Sequence, residues 1–292
     1  MARTYQERNR LRNLKKTSVK SDFTKMQQWF PDRISIVSEG DSWFAYPPKW
    51  LLAGKPSNLV AHISKFTHSK ANFYSMASNG DEAVDMVSGK QKHQLVEILR
   101  WYKKGQNRKP VDLLLFSGGG NDVVGENDFE RFIKPYRNSY TTGEQCINLP
   151  RLKRKAKQIA LAFEELIDIR DHYSPDTLIV THTYDYPYPS LTGGEFLGGL
   201  IKTKAWMKRF MDEQGIKVNL QADVIRVFMD TLGDSLIQLE SRRSGKFIVV
   251  DTRGTLRGKK EWLNEIHPTS EGFKQLASKM YEKMQEALPN LC

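Results

Sequence analysis

Serine, asparagine and histidine side chains stand at points of this sequence where an apolar stretch gives way to turn residues. Ser42 closes the run Gly-Asp-Ser after a β-branched stretch, Asn121 follows three glycines, and His267 precedes a proline and a helix cap. A serine hydroxyl attacks a carbonyl carbon once a base such as imidazole takes its proton, and an amide N–H stabilises the oxygen that becomes negative. Brought together, these three residue types could cleave an ester.

The elements that must position these residues are short apolar stretches alternating with helical patterns. Stretches rich in branched or aromatic residues predict buried strands at 33–40, 72–78, 111–120, 177–183 and 246–251. Apolar residues at helical spacing predict helices covering 152–167, 224–239 and 273–288. Such alternation predicts a parallel, doubly wound sheet whose ligand site lies at the carboxyl ends of its strands. Ser42, Gly80 and Asn121 each follow one of the first three strands, so this edge is the candidate site.

Four short blocks, taken in order, resemble the signature blocks of the SGNH or GDSL-type hydrolases. They are Gly40-Asp41-Ser42, Asn79-Gly80, Gly120-Asn121-Asp122 and His267-Pro268, and the resemblance covers about residues 33–288. It implies an α/β fold, a flavodoxin-like three-layer α/β/α sandwich with a central parallel sheet, and hydrolysis of esters or thioesters. It also implies that Ser42 is the nucleophile and His267 the general base. The implied oxyanion hole consists of the backbone N–H groups of Ser42 and Gly80 and the side-chain amide of Asn121.

Two positions depart from the pattern of this family. Trp43 stands where leucine is usual, and Asn264 stands where an aspartate usually precedes the histidine by three residues. The second departure matters because an aspartate orients the imidazole and stabilises the imidazolium. We favour a Ser–His dyad assisted by a neutral acceptor, either Asn264 or a backbone carbonyl. The alternative is a substitute carboxylate, for which the candidates are Glu265, Asp251 and Asp185.

Aromatic residues are concentrated in the two segments 43–52 and 183–196, which follow the first and fourth predicted strands. They either pack these proline-containing loops or form a pocket wall for an acyl chain or a sugar ring. Glycine pairs at 193–194 and 198–199 would let the second loop move. His182 ends the fourth predicted strand and is expected to be a core histidine. The aromatic residues are Trp43, Phe44, Tyr46, Trp50, Tyr184, Tyr186, Tyr188 and Phe196.

The net charge of +11 is concentrated at the N-terminus of the 292-residue chain. Residues 1–20 contain seven Lys or Arg and a single acidic residue, Glu7. This composition predicts a flexible basic arm at 1–22, followed by one hydrolase domain at 23–292. The arm is either a solvated tail or a docking element for an anionic membrane surface. Because the chain has no Walker, zinc-finger or RNA-binding motif, we expect no nucleic-acid partner.

The cysteine content, the spacing of possible metal ligands and the apolar stretches indicate which cofactors and which cellular location to expect. The two cysteines, Cys146 and Cys292, are too few for a disulfide framework, and no His, Cys, Asp or Glu cluster has the spacing of metal ligands. We therefore expect no metal and no cofactor. The sequence has no apolar stretch of membrane-spanning length and no signal-peptide core, so a cytoplasmic location is expected.

These observations predict a serine esterase that hydrolyses an acyl or acetyl ester, of a lipid or an O-acetylated sugar, through an acyl-enzyme on Ser42. The alternative is a weakly active or inactive hydrolase-fold protein with a binding or regulatory role, which docks through its basic arm. A binding module has no chemical need for Ser42, Gly80, Asn121 and His267 together. We therefore prefer the enzyme.

Overall fold

The computed structural model describes most of the chain, in eight separate ranges. The described residues are 2–46, 57–100, 109–125, 128–193, 195–196, 201–202, 204–243 and 245–291. Trp50 and three glycines of the expected mobile loop, Gly194, Gly198 and Gly199, lie outside them, as does the side chain of Phe196.

A five-stranded parallel sheet forms the centre of the described structure. In chain order the strands are β1 (Ile34–Gly40), β2 (Ala71–Ser75), β3 (Leu113–Ser117), β4 (Leu178–His182) and β7 (Phe247–Val250). Their spatial order is β2-β1-β3-β4-β7, which is the flavodoxin-like order that the resemblance implies. A separate antiparallel pair joins β5 (Glu195–Phe196) to β6 (Ile201–Lys202).

Helices cover both faces of this sheet and complete the three-layer α/β/α sandwich. On one face α4 (Leu59–Phe66) packs against α11 (Ser270–Ala287). On the other face α8 (Leu149–Tyr173) packs against α5 (Ala83–Met86), α6 (Gly89–Leu99) and α10 (Val218–Arg242). The remaining helices are α1 (Ala2–Asn13), α2 (Lys20–Trp29), α3 (Ser42–Ala45), α7 (Asn121–Val124) and α9 (Lys208–Glu213). Single 3₁₀ turns occupy His68–Lys70, Phe129–Phe132, Glu144–Cys146, Lys259–Glu261 and Pro289–Leu291.

The core lies between the sheet and these helices. All five residues of β3 are buried, as expected for a central parallel strand that is covered on both faces. Phe116 of β3 packs edge-to-face against Phe163 of α8, with ring centroids 5.0 Å apart. The apolar stripes predicted for α8, α10 and α11 all face this core.

The N-terminal residues differ from the flexible arm that their composition predicts. Residues 2–13 form helix α1, whose Leu11 is fully buried, and Thr17 pairs with β2 through backbone hydrogen bonds to Phe73 and Ser75. Arg10 donates two hydrogen bonds to Asp22 of α2. The physical reason is that α1 buries Leu11 and that Glu7 and Arg10 form ion pairs with Lys25 and Asp22 of α2. Among the helices of the described residues, none has the length and apolar composition needed to cross a membrane.

Candidate active site

Ser42 lies immediately beyond the carboxyl end of β1, as the sequence predicts. A side chain at Gly40 would meet Ser117 of β3 at 2.8 Å, so the absence of a Cβ lets the two strand ends approach closely. Asp41 caps helix α3 by accepting a hydrogen bond from the backbone N–H of Trp43. Ser42 is therefore the first residue of this helix, where backbone N–H groups have no helical partner.

His267 lies beside Ser42, although the two residues are 225 positions apart. The Ser42 hydroxyl is 2.8 Å from His267 Nε2, and His267 Nδ1 is 3.1 Å from Asn264 Oδ1. Asn264 Oδ1 also accepts the backbone N–H groups of Ile266 and His267. Because two backbone donors require an oxygen at this point, the amide orientation is set, and Nδ1 carries the proton. His267 Nε2 is then the free acceptor for the Ser42 hydroxyl.

The three carboxylates that could have replaced the usual aspartate all have other partners. Glu265 accepts the backbone N–H groups of residues 206–208, and burial raises its pKa to about 7. Hydrogen bonds from Arg253 lower the pKa of Asp251 to about 2. Asp185 accepts the backbone N–H groups of Gly254 and Leu256. In the described structure, Asn264 is the side chain on His267 Nδ1, which supports the neutral-acceptor hypothesis.

The surroundings of His267 favour the neutral imidazole. The residue is only 2% exposed, and burial lowers its pKa to about 3. Tyr46 stacks on the ring with a centroid separation of 4.0 Å and an interplanar angle of 5°, and Trp206 contacts it edge-on at 6.0 Å. Because the imidazole is buried, its protonated form would lose the solvation it has in water, so protonation is costly. A base of this kind stays unprotonated well below neutral pH.

Hydrogen bonds tie the turn that contains Gly80 to the first residues of α7, which begins at Asn121. Asn121 Nδ2 donates a hydrogen bond to the backbone carbonyl of Asp81 at 3.0 Å, and Asp122 accepts the backbone N–H of Ala83 at 2.8 Å. Gly80 has a φ of +89°, a backbone conformation that side chains disfavour. An amide has two hydrogens, so the bond to Asp81 fixes the orientation of the second hydrogen of Asn121.

A buried polar network lies directly beneath the serine. Asp41 accepts hydrogen bonds from the Tyr184 and Ser117 hydroxyls. Burial raises the pKa of Asp41 to about 6. His182 Nδ1 donates to the carbonyl of Thr183, and its Nε2 lies 3.0 Å from Ser117 Oγ. Burial lowers the pKa of His182 to about 4. His182 is thus a core histidine, as expected, and its network holds the turn that carries Ser42.

A small cavity opens beside the serine. It offers about 20 Å³ and is lined by Ser42, Asn121, Val124, Pro187 and Met229, together with the buried faces of neighbouring aromatic residues. This is room for one or two groups the size of a water molecule. Its walls are mostly apolar, so a methyl group would fit it better than a polar group.

Some aromatic residues of the segments 43–52 and 183–196 line the candidate site, and others lie away from it. Tyr46 stacks on His267, and Trp43 and Tyr184 line the small cavity. Phe44 is buried in the core, whereas Tyr188 is 42% exposed. Tyr186 is half-buried and donates a hydrogen bond to Asp230.

The structure brings Ser42, His267 and Asn264 into one hydrogen-bonded line, with Asn121 on the same cavity. Gly80 lies one residue from Asp81, the hydrogen-bond acceptor of Asn121. Sequence reasoning missed Trp206 and the Tyr184–Asp41 hydrogen bond, because these contacts join distant segments. The aromatic enrichment of 43–52 and 183–196 was the signal that pointed toward Tyr46 and Tyr184.

Comparisons with known proteins give similarity in structure but not in sequence. No family model matches this chain, and no curated protein sequence matches it. Among solved structures, a lipase, Lip_vut3 from a goat rumen metagenome, is similar with a TM-score of 0.50 at 15% identity, covering 85% of this chain and 96% of that one. An extracellular lipase from Streptomyces rimosus has a TM-score of 0.49 at 17% identity, with 87% and 99% covered. A member of the lipolytic G-D-S-L family from Veillonella parvula has a TM-score of 0.43 at 13% identity, with 85% and 97% covered.

These similarities concern the fold. The sheet order, the helices on both faces and the similarity to a lipase structure over nearly its whole length show a three-layer α/β/α fold shared with that lipase. At such low identities the fold alone is shown.

Proposed function

We propose that this protein is a serine esterase that hydrolyses short acyl esters through an acyl-enzyme on Ser42. The observation that carries the proposal is the line of contacts from the Ser42 hydroxyl through His267 to Asn264, with distances of 2.8 and 3.1 Å. A nucleophile, a base and a group that orients the base form the recognisable arrangement of nucleophilic catalysis.

In the first half of the reaction, the Ser42 hydroxyl attacks the ester carbonyl carbon and passes its proton to His267 Nε2. Negative charge develops on the carbonyl oxygen, which would accept hydrogen bonds from the backbone N–H groups of Ser42 and Gly80 and from Asn121 Nδ2. The imidazolium then gives its proton to the leaving alcohol as the C–O bond breaks. The product of this half is an acyl group bound to Ser42 Oγ.

In the second half, water repeats the same steps. His267 Nε2 takes a proton from the water, whose oxygen attacks the acyl carbon, and the proton is returned to Ser42 Oγ as the acid leaves. In both halves the imidazolium faces the neutral oxygen of Asn264 rather than a carboxylate. The imidazolium is therefore less stabilised than in a triad with aspartate, and we expect a modest turnover number.

The cavity beside Ser42 supports a short acyl group. Its volume of about 20 Å³ would hold the methyl group of an acetyl ester, and Val124, Pro187 and Met229 supply apolar contacts to it. Val124 and Met229 are buried, so a longer acyl chain would meet these side chains or extend out of the cavity. We therefore propose acetyl esters as the preferred substrate class. The alcohol portion of the ester would lie outside this cavity.

The test is a panel of p-nitrophenyl acetate, butyrate and octanoate, together with acetylated sugars and a lysophospholipid. The protein should hydrolyse the acetate with the highest kcat/KM, and Ser42→Ala should reduce hydrolysis to the background rate. A preference for octanoate or the lysophospholipid would refute the short-acyl proposal. Activity that survives in Ser42→Ala would refute the esterase proposal itself. An absence of turnover on every ester would favour the alternative, a binding or regulatory protein on this fold.

A further inference from the structure

The turn that carries the proposed base is held by hydrogen bonds to both backbone polar groups of a single residue. Ile266, which precedes His267, donates its backbone N–H to Asn264 Oδ1 at 3.1 Å. Its backbone carbonyl accepts a hydrogen bond from the Trp43 indole Nε1–H, also at 3.1 Å. The main chain immediately before His267 is therefore anchored by two hydrogen bonds, one at each polar backbone group of Ile266.

The second anchor is supplied by the residue next to the proposed nucleophile. Trp43 follows Ser42, and its own backbone N–H donates to Asp41 Oδ1 at 3.0 Å. The Trp43 side chain thus joins the turn that carries Ser42 to the turn that carries His267. Trp43 directly follows Ser42 in the chain, and Ile266 directly precedes His267. A change in this link would alter the 2.8 Å separation of Ser42 Oγ and His267 Nε2.

The indole is itself held firmly, so it can act as a spacer of constant length. Trp43 is 4% exposed and packs edge-on against Tyr184 with a centroid distance of 4.9 Å. It stacks on His182 at 5.4 Å and 13° and meets Phe273 edge-on at 5.7 Å. Rings fixed on several sides cannot change rotamer without moving their neighbours.

We propose that Trp43 is a positioning residue for His267, and that its indole N–H sets the distance and orientation of the imidazole relative to Ser42. The proposal rests on the esterase function proposed above. Its physical basis is that Asn264 is neutral and exerts no ionic attraction on the imidazolium. The imidazole must therefore be aligned by hydrogen bonds of defined geometry. The bond from Trp43 to Ile266 connects the turn of His267 to the residue that follows Ser42.

The test removes the N–H in two ways. Trp43→Phe removes the N–H together with the fused ring, and 3-benzothienylalanine at position 43 keeps the fused ring and replaces only the N–H by sulfur. The matched control is Phe273→Leu, which loosens the same aromatic cluster without touching the carbonyl of Ile266. With p-nitrophenyl acetate, both changes at position 43 should lower kcat by about 10- to 100-fold, because small misplacement of a reacting group is costly. KM should stay within about threefold, and Phe273→Leu should keep most of kcat.

A second readout requires no turnover. In protein labelled with ¹⁵N-histidine, the His267 resonances of the unaltered protein should report one tautomer with the proton on Nδ1. Both changes at position 43 should broaden these resonances or mix the tautomers, whereas Phe273→Leu should leave them unchanged. If kcat and the His267 resonances of the 3-benzothienylalanine protein match those of the unaltered protein, Trp43 has no positioning role.

The two proposals fail in different ways. If Ser42→Ala keeps its activity, the esterase mechanism is wrong, whatever the His267 resonances show. If Ser42→Ala is inactive but both position-43 proteins behave like Phe273→Leu, the mechanism stands and the role of Trp43 is refuted. The double variant Trp43→Phe/Asn264→Ala adds a check, because two anchors of one turn should give non-additive losses in kcat.

Discussion

Asn264→Asp is the substitution that tests most directly how the residue next to His267 Nδ1 controls the pKa of His267. Asn264 Oδ1 accepts three hydrogen bonds, from Ile266 N, His267 N and His267 Nδ1. Aspartate has nearly the same shape and can accept all three. The substitution therefore adds a negative charge next to the imidazole while leaving the geometry of the turn in place.

The size of the expected effect follows from the 3.1 Å separation of Asn264 Oδ1 and His267 Nδ1. At an effective dielectric constant of about 20, unit charges at this distance attract by about 5 kcal/mol, which corresponds to about 4 pKa units. The buried carboxylate must also be desolvated, so we expect the pKa of His267 to rise by at least about 2 units. In the unaltered protein, burial holds this pKa at about 3.

The direction of the pH effect follows from the role of His267 as a base. Only the neutral imidazole can accept the Ser42 proton, so raising its pKa moves the loss of activity to higher pH. The unaltered protein should keep a constant kcat/KM from pH 8 down to about pH 5. Asn264→Asp should lose activity below about pH 6, and should turn over faster than the unaltered protein at pH 8 because the carboxylate stabilises the imidazolium.

The assay is a pH–rate profile of p-nitrophenyl acetate hydrolysis for both proteins, with circular dichroism at each pH to confirm that they stay folded. Asp251→Asn is the matched control, since Asp251 bonds to Arg253 and Thr183 instead of His267. The acidic limb of its pH–rate profile should coincide with that of the unaltered protein. The reasoning is refuted if Asn264→Asp leaves the profile unchanged, or if Asp251→Asn shifts it.

Three further predictions address other parts of the structure. Asn121→Ala should lower kcat by about 10²- to 10³-fold with little change in KM, since the amide is needed most as charge develops on the oxygen; a rise in KM alone would contradict this role. Met229→Ala should enlarge the cavity beside Ser42 and raise kcat/KM for p-nitrophenyl butyrate relative to the acetate, and an unchanged ratio would place the acyl group elsewhere. Leu11→Ala should lower the free energy of unfolding by about 2–5 kcal/mol in chemical denaturation, because Leu11 is fully buried. A flexible N-terminal arm would give no change.

The sheet could be predicted from the sequence because its strands are continuous apolar stretches bounded by turn residues. The family resemblance implies a flavodoxin-like sheet, in which the strands before Ser42 and Asn121 are neighbours, as β1 and β3 are. Local physics is sufficient here, since a parallel strand buried on both faces needs an apolar sequence and a loop at its carboxyl end.

Other features could not be predicted because they depend on contacts between distant segments. The acceptor of the Trp43 indole is a backbone carbonyl, and every residue type has one, so no pattern of side chains indicates it. The packing of α1 depends on Leu11 finding a buried position against the rest of the fold. The low pKa of His267 arises from its enclosure by Tyr46 and Trp206, which are far from it in sequence.

Covalent labelling of Ser42 is the most direct test of the central claim, that this serine is the nucleophile of an esterase. The protein is treated with a fluorophosphonate ester, which forms a stable bond to an activated serine oxygen, and peptides are then analysed by mass spectrometry. We expect one phosphonylated peptide, containing Ser42, with loss of p-nitrophenyl acetate hydrolysis in proportion to labelling. His267→Ala should label far more slowly, because Ser42 then lacks its base. Complete labelling at another serine, or full activity in protein labelled at Ser42, would contradict the claim.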